Sequence, residues 1–158
     1  MRRLALLALL GSFGCGLAPA RLLDEGGREF PRPGVLLVVS AGCPHCHRLA
    51  RRISTGFSGG GPFPLGLLAL EGSDAGREFL RTTHLSATVC TLQGDLRKWL
   101  KEMKIRIVPT LLFLDAHGQV ASRSTGEVPL QQVRTNALRA GASAGPSPGP
   151  VDPSQARP

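Results

Sequence analysis

The sequence predicts an α/β fold in which a central mixed sheet is flanked by helices. Three observations point there. A continuous apolar run, Val35-Leu36-Leu37-Val38-Val39, is followed by a helix-like segment over 44–55 and by a second apolar run, Leu65-Gly66-Leu67-Leu68-Ala69-Leu70. Short runs that are apolar at every position read as strands buried on both faces, and the order strand, helix, strand implies a right-handed parallel crossover. Further on, Leu111-Leu112-Phe113-Leu114-Asp115 and the segment 120–125 flank the turn Ala116-His117-Gly118-Gln119, a β-hairpin that brings antiparallel pairing. Between these units Leu96, Trp99, Leu100 and Met103 recur at helical spacing, the pattern of a helix that packs one face on a core.

Taken in order, residues 1–20 read as an export signal. Met1-Arg2-Arg3 is the positive end, Leu4 to Leu10 the apolar stretch, and Ala18-Pro19-Ala20 a cleavage site of the A-x-A kind. The apolar run is too short for a permanent membrane span. Ser12-Phe13-Gly14-Cys15 offers a second route, a lipoprotein site with a lipid anchor at Cys15, although Phe13 is bulky for it. Either route leads to a periplasmic or other extracytoplasmic location, where disulfides form and persist.

Residues 21–34 are polar and read as an N-terminal linker. Within it, 22–30 forms a short helical turn that Pro31-Arg32-Pro33-Gly34 breaks. The folded domain is expected over 35–140. After the first strand and helix comes a loop over 56–64, with Gly59-Gly60-Gly61-Pro62, then the second strand. Asp74 is expected to cap a helix over 75–83, and Thr88 to Leu92 to form a short strand or an irregular segment. Asp95 caps a helix from Leu96 to Lys104. Pro129 opens a last helix, Leu130 to Arg139, with Val133, Ala137 and Leu138 on its apolar side. From Gly141 to Pro158 the chain is Gly, Ala, Ser and Pro with few charges, a disordered tail that cannot bury a core.

Composition bounds the function. A chain of 158 residues, 42% apolar, suffices for one domain with its own core. The net charge is +8; without Arg2 and Arg3 the remaining 17 basic and 11 acidic residues leave +6. The basic residues lie singly or in pairs, such as Arg51-Arg52 and Arg97-Lys98. Tyr is absent, so no stacking surface for nucleic acid is evident. The charge reads as a solvated face with weak attraction to acidic partners or anionic lipid.

Chemistry concentrates at Cys43-Pro44-His45-Cys46, after the first strand and at the opening of a helix. Two cysteines separated by two residues on a first helical turn bring their sulfurs within bridging range. The first sulfur lies beside the free N–H groups and positive end of the helix, which favours thiolate. Pro44 at the first helical position gives up an N–H that would have no partner anyway, and a protonated His45 adds positive charge. The motif therefore reads as a redox-active dithiol needing no metal or other cofactor. Two rival readings share the residues. A zinc site needs four ligands, and Cys90 is the only other thiol of the mature chain. Cys43 to His47 also satisfies C-x-x-C-H, the haem c attachment pattern, with His47 and Met103 as axial ligands, though such a protein has no need of the preceding buried strand.

A second motif, Ile107-Val108-Pro109-Thr110 just before Leu111–Leu114, completes a pattern that resembles the thioredoxin superfamily over roughly residues 33–140. The resemblance implies a thioredoxin-like fold with Pro109 in the family's cis-proline loop. It implies that Cys43 forms a mixed disulfide with a partner protein, that Cys46 resolves it, and that Val108, Pro109 and Thr110 bind an extended substrate segment as an added strand. Pro44-His45 is similar to the dipeptide of the strongly oxidising Dsb-type enzymes, and Cys46-His47-Arg48-Leu49 to the helix start of the Dsb isomerases. The implied partners are exported proteins bearing thiols or disulfides, together with a membrane redox partner. Three departures stand out: Gly42 replaces the Trp before the first cysteine, Leu37 replaces a buried acid six residues before it, and the stretch between the second strand and Pro109 is longer than in plain thioredoxin. The expected function is a thiol–disulfide oxidoreductase, leaning to oxidant or isomerase. An extracytoplasmic reductant serving cofactor attachment and a non-catalytic thioredoxin-fold binder are the alternatives.

Overall fold

The computed structural model describes residues 21–57 and 63–142. The signal segment with Cys15, the glycines at 59–61 and most of the expected tail lie outside the described residues. Six strands form one mixed sheet: β1 (Arg21–Asp24), β2 (Gly34–Val39), β3 (Leu65–Ala69), β4 (Thr88–Gln93), β5 (Thr110–Leu114) and β6 (Val120–Thr125), in the spatial order β1-β4-β3-β2-β5-β6. β2, β3 and β4 pair in parallel, while β1 on β4, β5 on β2 and β6 on β5 are antiparallel. The helices are α1 (Pro44–Gly56), α2 (Ser73–Thr83), α3 (Leu96–Glu102) and α4 (Leu130–Ala142). The mixed α/β architecture expected from the sequence is the one observed.

β2 shows why an unbroken apolar run is needed at the centre. Side chains alternate across a strand. Val35, Leu37 and Val39 enter one core with Cys46, Leu49, Ala50 and Ile53 of α1, Phe79 of α2, and Val133, Ala137 and Ala140 of α4. Leu36 and Val38 enter a second core on the other face, with Leu68, Cys90, Leu112 and Trp99 of α3. Each face of β2 is thus covered, and no position tolerates a polar side chain.

Several local expectations change. The 21–34 segment is neither a helical turn nor a linker: Arg21–Asp24 is an edge strand on β4, and Leu23 bridges Glu29. The reason is Phe30, which is 2% exposed and packs in the second core against the α-carbons of Gly34 and Gly66. Asp74 lies inside the first turn of α2 and pairs with Arg77; the N-cap is Gly72, whose φ of +106° is open to glycine and strained for other residues. Thr88–Gln93 is a regular strand. Asp95 does cap α3, accepting from the Lys98 N–H at 3.1 Å, but the helix stops at Glu102. On α4 Leu138 is 51% exposed and Ala140 takes the core position, because the helix continues to Ala142 with Val133, Ala137 and Ala140 aligned.

Candidate redox site

β2 ends at Val39, and a four-residue connection delivers the chain to α1. Cys43 occupies the N-cap with extended backbone and no side-chain cap bond, and Pro44 follows at the first helical position. The first-turn N–H groups therefore lack a capping oxygen and face the Cys43 sulfur instead. The connection itself is tied on three sides. Cys43 N–H donates to the Ser40 carbonyl at 3.1 Å. His47 Nε2 pairs with the Ala41 carbonyl at 2.8 Å, its ring 4.6 Å from that of Phe79. Glu71, just past β3, accepts from the Ser40 hydroxyl at 2.5 Å and from the Ala41 N–H at 3.0 Å. His47, the axial ligand of a haem reading, is thus turned into the protein.

The two thiols have opposite electrostatics. Cys43 is partly exposed. Burial works against its thiolate, but the Cys46 thiol, the backbone N–H groups of Cys46 and His45, and the Arg48 guanidinium outweigh it, so its pKa is lowered. Cys46 is fully buried, and burial pushes its thiol up to about 12. The Ser40 N–H works against that rise, while Cys43 and the Glu71 carboxylate add to it. One sulfur is partly exposed with its thiolate favoured; the other is buried with its thiol form favoured.

His45 contributes its backbone N–H to Cys43, and its ring is engaged by a residue the sequence did not single out: Nδ1 lies 2.7 Å from Glu127 Oε1. The same carboxylate oxygen accepts from Arg48 Nε and Nη2 at 3.0 and 2.8 Å. Arg48 Nη2 is also 2.8 Å from His45 Nδ1, so this ring nitrogen sits between a donor and an acceptor, and the tautomer sets which of the two bonds it makes. Arg48, three residues beyond His45, was visible in the sequence as its helical neighbour; Glu127, 82 residues away, and Glu71 carried no local signal.

The second motif meets the first. The Val108–Pro109 peptide is cis, and the Val108 carbonyl lies 3.9 Å from the Cys43 sulfur, placing this loop directly against that thiol. Pro109 is buried. Thr110 is 1% exposed and its hydroxyl donates to the Ile107 carbonyl at 2.7 Å, so its side chain braces the loop. Ile107, 60% exposed, is the apolar side chain that this loop presents to solvent. Apart from its chain neighbours, nothing lies within 4 Å of the place a Cβ on Gly42 would take, so the space beside Cys43 is open there. Cys90 belongs to the second core, with the sheet between it and Cys46, and burial pushes its thiol up to about 12.

No protein-family model and no curated protein matches the chain. Solved structures do. A thio-disulfide isomerase from Thermus thermophilus aligns with a TM-score of 0.58 at 17% identity, over 77% of this chain and 91% of that one. A secreted Mycobacterium tuberculosis disulfide oxidoreductase homologous to E. coli DsbE aligns with a TM-score of 0.56 at 16% identity, over 75% and 94%. A thioredoxin-related protein from Neisseria meningitidis serogroup B gives 0.56 at 18%, over 75% and 97%. The chain has the thioredoxin-like fold that Cys43–Cys46 and the Pro109 loop led one to expect.

Proposed function

We propose that the protein is a thiol–disulfide oxidoreductase acting on exported proteins, with Cys43 as nucleophile and Cys46 as resolving thiol. The observation that carries this reading is the division of the pair: a surface thiol with lowered pKa at a helix N-terminus, directly above a fully buried thiol raised to about 12. A structural cysteine pair needs no such asymmetry. In the reductive direction the Cys43 thiolate attacks a substrate disulfide, forming a mixed disulfide and releasing one substrate thiolate. Cys46 then loses its proton and attacks the Cys43 sulfur, which releases the second substrate thiolate. Two electrons pass to the substrate, and Cys43–Cys46 is left as a disulfide. Oxidation of substrate thiols is the same sequence reversed. Val108, beside Cys43, presents backbone groups along which an extended substrate segment would lie.

The site leans to oxidation or isomerisation. Stabilising the Cys43 thiolate through helix N–H groups and Arg48 stabilises the reduced form, which raises the potential of the disulfide. The names of the structural neighbours, an isomerase and a secreted disulfide oxidoreductase, belong to the same thiol–disulfide class and fix no direction. Export follows from Arg2-Arg3, Leu4–Leu10 and Ala18-Pro19-Ala20, with lipidation at Cys15 as the alternative anchor. A membrane redox partner would reset the dithiol. The test is equilibration with glutathione buffers, with oxidation of a reduced, unfolded protein assayed alongside. A potential well above the thioredoxin value of about −270 mV supports the oxidant. A potential at or below that value assigns an extracytoplasmic reductant, and a pair that never forms a disulfide leaves only the binding-protein reading.

A further inference from the structure

We propose that Glu127 is a positioning residue for the redox site: it clamps the Arg48 guanidinium, together with the His45 ring, over the Cys43 end of α1. The inference rests on the oxidoreductase reading, since it assigns the control of that site's nucleophile. A single carboxylate oxygen receives Arg48 Nε, Arg48 Nη2 and His45 Nδ1 at 3.0, 2.8 and 2.7 Å. Three contacts on one atom, from two residues a turn apart on α1, are more than a lone surface ion pair makes. The clamp is also anchored. Glu127 follows Gly126, whose N–H donates to the Pro109 carbonyl at 2.8 Å, so the acid is tied to the loop that lies against Cys43. Gly126 has a φ of +79°, a backbone conformation that other residues adopt only with strain.

The physical consequence concerns freedom. The Arg48 side chain is 53% exposed and carries several rotatable bonds. Left alone, such a side chain samples many positions, and its field at Cys43 averages toward that of a screened surface charge. Held by Glu127, it stays where it acts on the thiolate. Arg48 is the full positive charge among the influences on Cys43. Glu127 contacts Arg48, and through it the cysteine.

The experiment is a thiolate titration, by absorbance near 240 nm, of full-length protein carrying Cys15→Ser and Cys46→Ala, with Glu127 intact or replaced in E127Q. Cys90 stays silent in the working range because its thiol titrates at about 12. E127Q keeps the size of the side chain and removes the charge. The expected result is an upward shift of the Cys43 pKa by roughly half a unit, the scale of an exposed ion pair. R48M should shift it likewise, and E127Q added to R48M should change it little further; E127D should restore part of the wild-type value. An unmoved pKa in E127Q overturns the proposal. So does a downward shift, which would make Glu127 a direct opposing charge on the thiolate, or an E127Q shift that persists in full in R48M. The titration does not depend on turnover: wild-type protein that fails to cycle with substrate while E127Q still moves the pKa overturns the oxidoreductase reading and leaves the clamp standing.

Discussion

Replacing Cys43 by Ser gives a direct measure of how far the fold separates its thiols. In the reduced C43S protein the remaining cysteines of the domain are Cys46 and Cys90. At pH 7.5 a thiol titrating at about 12 is ionised in about one molecule in 30,000. A thiol at 9.0, which Cys43 lies below, is ionised in about 3% or more. The ratio of thiolate populations is about 10³. A more basic thiolate is intrinsically the better nucleophile, and a Brønsted coefficient of about 0.4–0.5 over three units returns about 20- to 30-fold of that. In the wild-type pair, electronic effects alone therefore leave at least about 30-fold in favour of Cys43; C43S removes the Cys43 contribution to the Cys46 rise and leaves burial, its largest cause. Occlusion adds to this, because Cys46 is 0% exposed. Native reduced protein is treated with iodoacetamide, quenched at intervals and mapped by peptide mass spectrometry. Wild type should carry the label on Cys43, and C43S should label Cys46 and Cys90 only after denaturant is added. The wild-type rate should rise with pH with a midpoint below 9, the ordinary thiol value that Cys43 lies below. Cys46 labelling in native C43S within a few-fold of the wild-type Cys43 rate would refute the division of roles.

Three further outcomes follow from the same structure. Cys90 is raised in the folded state, so its contribution to stability is fully present below the unfolded pKa near 9 and is lost as pH rises toward 12. The stability difference between wild type and Cys90→Ala, measured by urea denaturation under reducing conditions, should therefore narrow by roughly 2–3 kcal/mol between pH 9 and pH 11; a constant difference would show that the thiol is not sequestered. Gly66→Ala places a methyl group 2.8 Å from both the Cys90 sulfur and the Phe30 ring, and should lower stability by about 1–3 kcal/mol; no loss in a denaturation midpoint would mean that Phe30 does not pack there. For export, mass spectrometry of the protein from its native host should find the chain starting after Ala20, or at a lipidated Cys15; an unprocessed N-terminus rules the compartment assignment out.

What the sequence by itself determined was whatever local chemistry dictates. Val35–Val39 had to be a doubly buried strand because it offers no polar face, and Asp95 had to cap because an acidic side chain meets the free N–H groups of a helix that starts beside it. Cys43, Pro44 and Cys46 announced a thiol site because two sulfurs one helical turn apart need no distant residue to make them neighbours. Such statements depend on contacts within a few residues. The tertiary structure decided what depends on closure over long separations. Arg21–Asp24 became a strand because β4 presented an open edge and Phe30 found a cavity over Gly34 and Gly66. Thr110 turned inward because its hydroxyl satisfies the Ile107 carbonyl within a buried loop. Val108 came to lie against Cys43 across 65 residues, and Glu127 came to hold His45 and Arg48 from the far end of the hairpin. A charge marks a residue as able to pair, but its partner is chosen by the packing of the sheet, and that choice is written in no single stretch of the chain.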